Sequence, residues 1–202
     1  SEITCTSIAV DSAGTPYITY NDKFNGMLKC AHLNGGAWIK RNVEANSSGY
    51  FNSVRIDSLD RPHVAYRKFE FTTDNYIVKY AKWNGSQWLI ETVPDTTNSV
   101  GSYVSLKLDA NNFPRVCYRD LTANSLKYAE FNGISWNVQV ADQVAGNDVG
   151  RFCSLALNSS DKPYISYRDS SSNALKCAYN TGAGWVRQTV DTGTGFHTSI
   201  AV

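Results

Sequence analysis

Three arginines stand in the same local setting: Tyr66-Arg67, Tyr118-Arg119 and Tyr167-Arg168, with Tyr20-Asn21 in a fourth copy. A guanidinium is a planar fork of donors that matches a carboxylate or sulfate bidentately. If the fold brings Arg67, Arg119 and Arg168 to one rim, they can clamp an acidic ligand. The bland alternative is structural pairing, since Asp120 and Asp169 directly follow two of them. A second cationic group departs from the repeat. The slot filled by Ala9, Ala156 and Ala201 is Arg55 in one copy and Lys107 in another. These two charges either face a central channel as a ligand contact or snorkel toward its water. A third group is an insertion. Thirteen residues separate Tyr66 from Lys79, where Tyr20 to Lys29, Tyr118 to Lys127 and Tyr167 to Lys176 are nine apart. The extra residues carry Phe69, Glu70, Phe71 and Tyr76, aromatics beside a carboxylate, a combination suited to stacking on a sugar or to a protein contact. Alternatively, they only cover a blade edge.

Other chemistry is poorly supported by the spacing. The histidines, His32, His63 and His197, fall in three different repeat slots, and no His/Cys/Asp cluster has metal-ligand spacing. No metal or cofactor is expected. The recurrent serines begin a strand rather than sit at a nucleophile elbow. The five cysteines include no C-x-x-C pair, and Cys30 and Cys177 take the slot of Tyr80 and Tyr128. They read as buried thiols, with Cys30–Cys177 the most plausible disulfide if the first and last repeats touch. Lys29, Lys79, Lys127 and Lys176 form a ladder that pairs with turn acids or covers a blade surface. Asn46, Asn84 and Asn158 begin N-x-S/T sequons.

The elements that must position these groups come from a repeat. Ser7, Ser53, Ser105, Ser154 and Ser199 recur at intervals of 46, 52, 49 and 45 residues. Each full copy has an alternating strand A, an Asx-to-Pro turn (Asp11 to Pro16, Asp57 to Pro62, Asp109 to Pro114, Asn158 to Pro163), strand B, and a strand C of the L-K-Y-A type. Strand D then starts near Trp38, Trp88, Trp136 or Trp185. The Asx side chain is expected to bond amides two residues on, while Pro fixes φ for strand B. Asn34-Gly35, Asn84-Gly85 and Asn132-Gly133 predict type I′ hairpins between C and D, with Thr181-Gly182 in the fourth copy. A period near 50 with four short strands predicts an all-β β-propeller of four four-stranded blades, approximately 6–51, 52–103, 104–152 and 153–197. Residues 198–202 begin a fifth repeat, and Thr198–Val202 is identical to Thr6–Val10. A closed ring of four has no vacant place for that extra innermost strand. The expectation is therefore a piece of a larger ring, or association with further blades or another copy through Ser199–Val202.

The pattern S-L-A-L-D-S-x-x-x-P-x-I-S-Y-R-D, then L-K-Y-A, then N-G-x-x-W, resembles the repeats of extracellular bacterial β-propellers of the sialidase-like, Asp-box type, and the resemblance spans the chain. It implies a secreted or cell-surface setting. In such enzymes an arginine cluster holds a carboxylate, which Arg67, Arg119 and Arg168 would do here. The fuller Ser-x-Asp-x-Gly-x-x-Trp signature is absent, so sialidase activity is implied only weakly.

Composition limits the function classes. Nineteen Lys plus Arg against eighteen Asp plus Glu give a formal charge of +1, against the concentrated positive field of a nucleic-acid binder. Apolar residues make up 42%, yet no run approaches the roughly 20 residues that span a bilayer. Twelve Tyr, eight Phe and five Trp against one Met favour strands. The N-terminus lacks an initiator Met and a basic leader, as a trimmed or excised chain would. The expected function is a non-catalytic extracellular binding module for a glycan or a protein. The alternatives are a sialidase-like glycoside hydrolase or its remnant, and a structural propeller fragment. A hydrolase would need a carboxylate pair or a Tyr–Glu couple; within the insertion Glu70 is the one acid that departs from the repeat, and the sequence names no partner acid for it.

Overall fold

The computed structural model describes residues 5–46, 48–97, 99–193 and 195–202. Ser1–Thr4, Ser47 of the Asn46 sequon and Thr194 of the C-terminal segment lie outside the described residues. The chain divides into two compact units, Ser1–Gly101 and Ser102–Val202. The first contains β1 (Thr6–Val10), β2 (Pro16–Asp22), β3 (Met27–Asn34), β4 (Ala37–Glu44), β5 (Ser48–Ile56), β6 (Pro62–Glu70), β7 (Asn75–Trp83) and β8 (Trp88–Thr92). The second is built on β9 (Val100–Leu108), β10 (Pro114–Asp120), β11 (Ser125–Phe131), β12 (Trp136–Asp142), β13 (Val149–Leu157), β14 (Pro163–Asp169), β15 (Ala174–Asn180) and β16 (Trp185–Thr192). Each successive set of four strands is one antiparallel sheet paired in chain order, so the chain is an all-β propeller of four four-stranded blades. Among the described residues, no helix is long and apolar enough to cross a membrane.

The Asx-to-Pro turn works as its spacing predicts. Asp109 Oδ1 accepts the amides of Asn111 at 2.9 Å and Phe113 at 2.8 Å, and Asn158 Oδ1 those of Ser160 at 3.0 Å and Lys162 at 2.9 Å. Asp11 and Asp57 bind their turns in the same way. One side-chain oxygen thus organises the loop, and Pro opens the next strand.

The C–D turns meet the type I′ expectation in blade 1, one residue later than Asn34-Gly35, and correct it in the other blades. None of Asn34, Asn84, Asn132 or Thr181 has positive φ. In blade 1 the two positive-φ residues are Gly35 and Gly36, between the paired Asn34 and Ala37. In blades 2 and 3 the asparagine acts through its side chain. Asn84 Oδ1 accepts the amides of Ser86 and Gln87, both at 2.9 Å, and Asn132 Oδ1 those of Ile134 and Ser135, both at 2.9 Å. An Asx cap closes the turn without placing asparagine in the left-handed region.

Strand A begins earlier than the alternating pattern shows. β5, β9 and β13 start at Ser48, Val100 and Val149; in β5 and β13 a bulge follows that the pattern cannot register. A glycine at positive φ comes first, Gly49 or Gly150, and two residues later an aromatic at φ near 50°, Phe51 or Phe152. Close approach explains the glycine: a Cβ on Gly150 would lie 3.0 Å from Leu126 Cα.

Each core lies between blades, because a lone sheet cannot cover its own faces. In the first unit Leu28, Val43, Val54, Val64 and Tyr66 cluster from blades 1 and 2; in the second, Leu126, Ala141, Val149, Leu155, Ile165 and Tyr167 cluster from blades 3 and 4. The recurrent serine stitches neighbouring A strands: Ser7 Oγ accepts the Val54 amide at 3.0 Å and Ser105 Oγ the Leu155 amide at 3.1 Å. Ser154 Oγ takes the Ile200 amide at 3.3 Å, so the fifth copy of the strand-A sequence uses the same serine contact against blade 4, but it forms no strand, which corrects the expected extra innermost strand. All five cysteines are free, with Cys30, Cys117 and Cys153 buried.

Candidate functional site

The three arginines are drawn into the protein. Arg67, on β6, is 9% exposed, and its Cζ lies 3.9 Å from the Tyr76 ring centre, 4.8 Å from Phe51 and 5.6 Å from Tyr50. Arg119, on β10, donates from Nε to Asp148 Oδ1 at 2.8 Å and from Nη2 to Asn124 Oδ1 at 2.6 Å. Asp148 also holds Arg151 at 2.7 Å. Arg168, on β14, stacks 3.6 Å from the Phe196 ring centre and donates to Asn173. Asn124 and Asn173 sit at positive φ in their B–C turns. Arg119 and Arg168 therefore each tie their own turn to the segment that follows the blade. At Arg119 the protein supplies the carboxylate that a guanidinium suits.

Arg55 and Lys107 belong to different units. Arg55 is half-buried on β5, and its Nη1 donates to the Val54 carbonyl at 2.5 Å. Lys107 is half-buried on β9. The strand-C lysines pair with acids, as expected of the ladder: Lys29 with Asp22 at 2.5 Å, Lys79 with Glu44 at 3.4 Å, Lys127 with Asp120 at 3.4 Å and Lys176 with Asp142 at 3.1 Å.

The insertion is an extended hairpin. In blades 3 and 4 the residue after the arginine is aspartate, and its carboxylate caps the turn at once. Blade 2 has Lys68 there, and Lys68 instead reaches Glu44 at 3.0 Å. Without the cap the strands continue through the pairs Phe69–Tyr76 and Glu70–Asn75. Phe69 meets Phe71 edge-on at 5.0 Å and Tyr76 at 5.1 Å. Phe71, at the tip, is 65% exposed. The structure therefore brings Arg67, Phe69, Glu70, Phe71 and Tyr76 together on one hairpin. Tyr50 and Phe51 complete the arginine's cage and are not among the residues that the repeat singles out. The signal for them is the glycine four residues before the recurrent serine, Gly49 before Ser53 and Gly150 before Ser154.

Tyr66 and Tyr167 each form a couple with a carboxylate, and in each the tyrosine is buried. Tyr66 donates to Glu44 at 2.6 Å and Tyr167 to Asp142 at 2.5 Å, and both tyrosines are fully buried. Burial pushes the Glu44 carboxyl up, but bonds from Tyr66 and Lys68 and the Lys79 charge outweigh it and leave its pKa lowered. Burial and the adjacent carboxylate drive each tyrosine hydroxyl well above its ordinary range, so it stays a donor. His63 completes a further buried chain, with Nε2 3.2 Å from Asp57 Oδ2 and Nδ1 2.5 Å from the Tyr80 hydroxyl. Among the described residues no three His, Cys, Asp or Glu side chains group as a metal ion requires.

No protein-family model matches the chain, and no curated protein matches it in sequence. Solved structures do. An α-L-arabinofuranosidase from Fusarium graminearum, in complex with an iminosugar inhibitor, aligns with a TM-score of 0.66 at 10% identity, over 94% of this chain and 66% of that one. A Hadza microbial sialidase aligns at 0.68 and 11% identity, over 94% of this chain and 46% of that one. An endo-arabinase from Bacteroides thetaiotaomicron aligns at 0.57 and 12%, over 95% and 82%. The chain thus spans less than two thirds of the first two. At these identities the likeness is one of architecture: the chain has a sialidase-like β-propeller fold.

Proposed function

We propose that the chain is a non-catalytic, carbohydrate-binding β-propeller module, and that its contact surface is the blade 2 hairpin. The observation that carries this reading is the exposed Phe71 ring beside Glu70, on a hairpin stiffened by Tyr76 stacked on Arg67. An exposed aromatic face can stack on the apolar face of a sugar while a carboxylate accepts its hydroxyls. The full burial of Tyr66 and Tyr167, each bonded to its carboxylate, favours binding over hydrolysis by either couple, since a catalytic group must reach the substrate. With this reading goes an extracellular setting, the repeat being an Asp-box-like variant. A glycan array spanning neutral and acidic sugars tests it. Binding that Phe71→Ala weakens at least tenfold supports the hairpin. No binding to any sugar sinks the glycan reading and leaves a protein partner for the same surface.

A hydrolase reading draws on the fold shared with an arabinofuranosidase and a sialidase. Turnover of a fluorogenic sialoside or arabinofuranoside would establish it, and turnover that survives Arg119→Ala would remove the arginines from the chemistry. A structural role, assembly through Ser199–Val202, is tested by the oligomeric state of the 202-residue chain.

A further inference from the structure

The repeat makes one comparison possible inside each unit. Blade 1 carries His32 on strand C and Arg41 on strand D; the corresponding residues of blade 3 are Glu130 and Gln139. Blade 2 carries Trp83 at the end of strand C, where blade 4 has Asn180. In the first unit these side chains fill the gap between blades. The Arg41 guanidinium lies 4.8 Å from the Trp83 ring centre and Nη1 is 3.1 Å from His32 Nδ1, while His32 stacks on Tyr17 at 5.2 Å.

In the second unit the same place is open. A cleft of about 560 Å³ lies between blades 3 and 4, lined by Arg115, Glu130, Gln139, Asp161, Lys162 and Asn180 among others. That is a size suited to a small ligand. On its blade 4 side the turn brings no long side chain into the space, because Gly184 stands where blade 2 has Gln87, and Asp161, Lys162 and Asn180 border it. Its blade 3 wall is fixed by hydrogen bonds. Gln139 accepts from Trp185 Nε1 at 2.9 Å and donates to Glu130 Oε1 at 3.2 Å, and Asn137 donates to that oxygen at 3.1 Å. Arg115 is held by Asp109 at 2.6 Å, with Glu130 at 3.8 Å. Side chains locked by one another form a preorganised polar surface.

We infer that this cleft is a binding site for a neutral saccharide of one or two sugar units. The lining carries two cations, Arg115 and Lys162, and two carboxylates, Glu130 and Asp161, and Asp109 takes up the Arg115 charge from behind, so no net positive field is left for an anion. Fixed donors and acceptors of both kinds suit a ligand whose hydroxyls do both. The site lies in the second unit, does not involve the blade 2 hairpin, and does not depend on the function proposed for it.

The test is an NMR titration of the 202-residue chain with D-galactose, N-acetyl-D-glucosamine, L-arabinose and lactose, following the Trp185 indole N–H. One of these sugars is expected to shift it saturably. The double variant Gln139→Arg/Asn180→Trp, which rebuilds the plug of the first unit, should weaken that binding at least tenfold, while Phe71→Ala leaves it unchanged. If the plug does not fold, Lys162→Met, at an exposed side chain, should weaken binding at least threefold. No shift with any of the four sugars, or a plugged or Lys162→Met protein that binds as the wild type does, overturns the inference. Loss with Phe71→Ala alone would place the sugar on the hairpin instead.

Discussion

Arg67 shows how a residue with the right chemistry for a ligand is taken up by its surroundings. Three aromatic rings within 5.6 Å of its Cζ make it a packing element that holds the hairpin. Cation–π contacts of desolvated groups contribute about 2 kcal/mol. Arg67→Lys, which keeps the charge but loses the planar stack, should cost about 1 kcal/mol and raise hydrogen exchange across residues 68–77; unchanged exchange would deny Arg67 that role. His63 has a pH signature. Burial, partly countered by the bond to Asp57, holds its pKa at about 4, below the ordinary 6.5. Between pH 6.5 and 4 the unfolded chain therefore binds a proton that the folded chain refuses. Stability is full above that window and falls as pH drops through it, by on the order of 3 kcal/mol. Asp57, held near 2 despite burial by bonds from Arg61, His63 and Leu59, contributes its own loss only at lower pH. Calorimetry should show the His63 limb in the wild type and a flatter one in His63→Gln.

At the scale of elements, the strand-A entry is the least tolerant segment. A Cβ on Gly150, at φ 91°, would lie 3.0 Å from the Leu126 backbone, whereas a Cβ on Gly146, at φ 79°, would meet nothing within 4 Å. Gly146→Ala should cost about 1 kcal/mol, the left-handed backbone alone. Gly150→Ala adds a clash with main chain that cannot move aside, about 1–3 kcal/mol more. Urea midpoints at unchanged slope measure the difference. The turns show what local sequence can and cannot say. Asp109 and Asn158 are legible as caps because donor and acceptor lie within four residues. The Asn84 and Asn132 turns depart from the type I′ expectation because an Asn-Gly pair fits two geometries. Only the backbone shows that asparagine caps while glycine takes positive φ.

For the molecule as a whole, the C-terminal copy of strand A matters most. Thr198 Oγ1 donates to the Phe152 carbonyl at 2.7 Å and lies 2.9 Å from Ser166 Oγ, and this segment walls a cavity of about 390 Å³ whose blade 4 side includes Leu175 and Cys177. Burial raises the pKa of the Cys177 thiol. Removing residues 195–202 should therefore speed labelling of Cys177 by a thiol reagent at least tenfold, with Cys117 and Cys153 still protected; mass spectrometry of the labelled peptides reads it. The sequence by itself determined the four blades, their strand order and the Asx turns, because those features are periodic and rest on contacts within a few residues. It could also flag the hairpin and the extra C-terminal copy of the strand-A sequence, as breaks in the period, though that copy forms no strand. Tertiary structure decided the fate of the polar groups. Arg119 finds Asp148 29 residues away, and Gln139 finds Trp185 46 residues away. A repeat aligns each residue with its equivalents but not with its neighbours in the next blade. Only packing could show that the arginines are occupied and that the cleft between blades 3 and 4 is open.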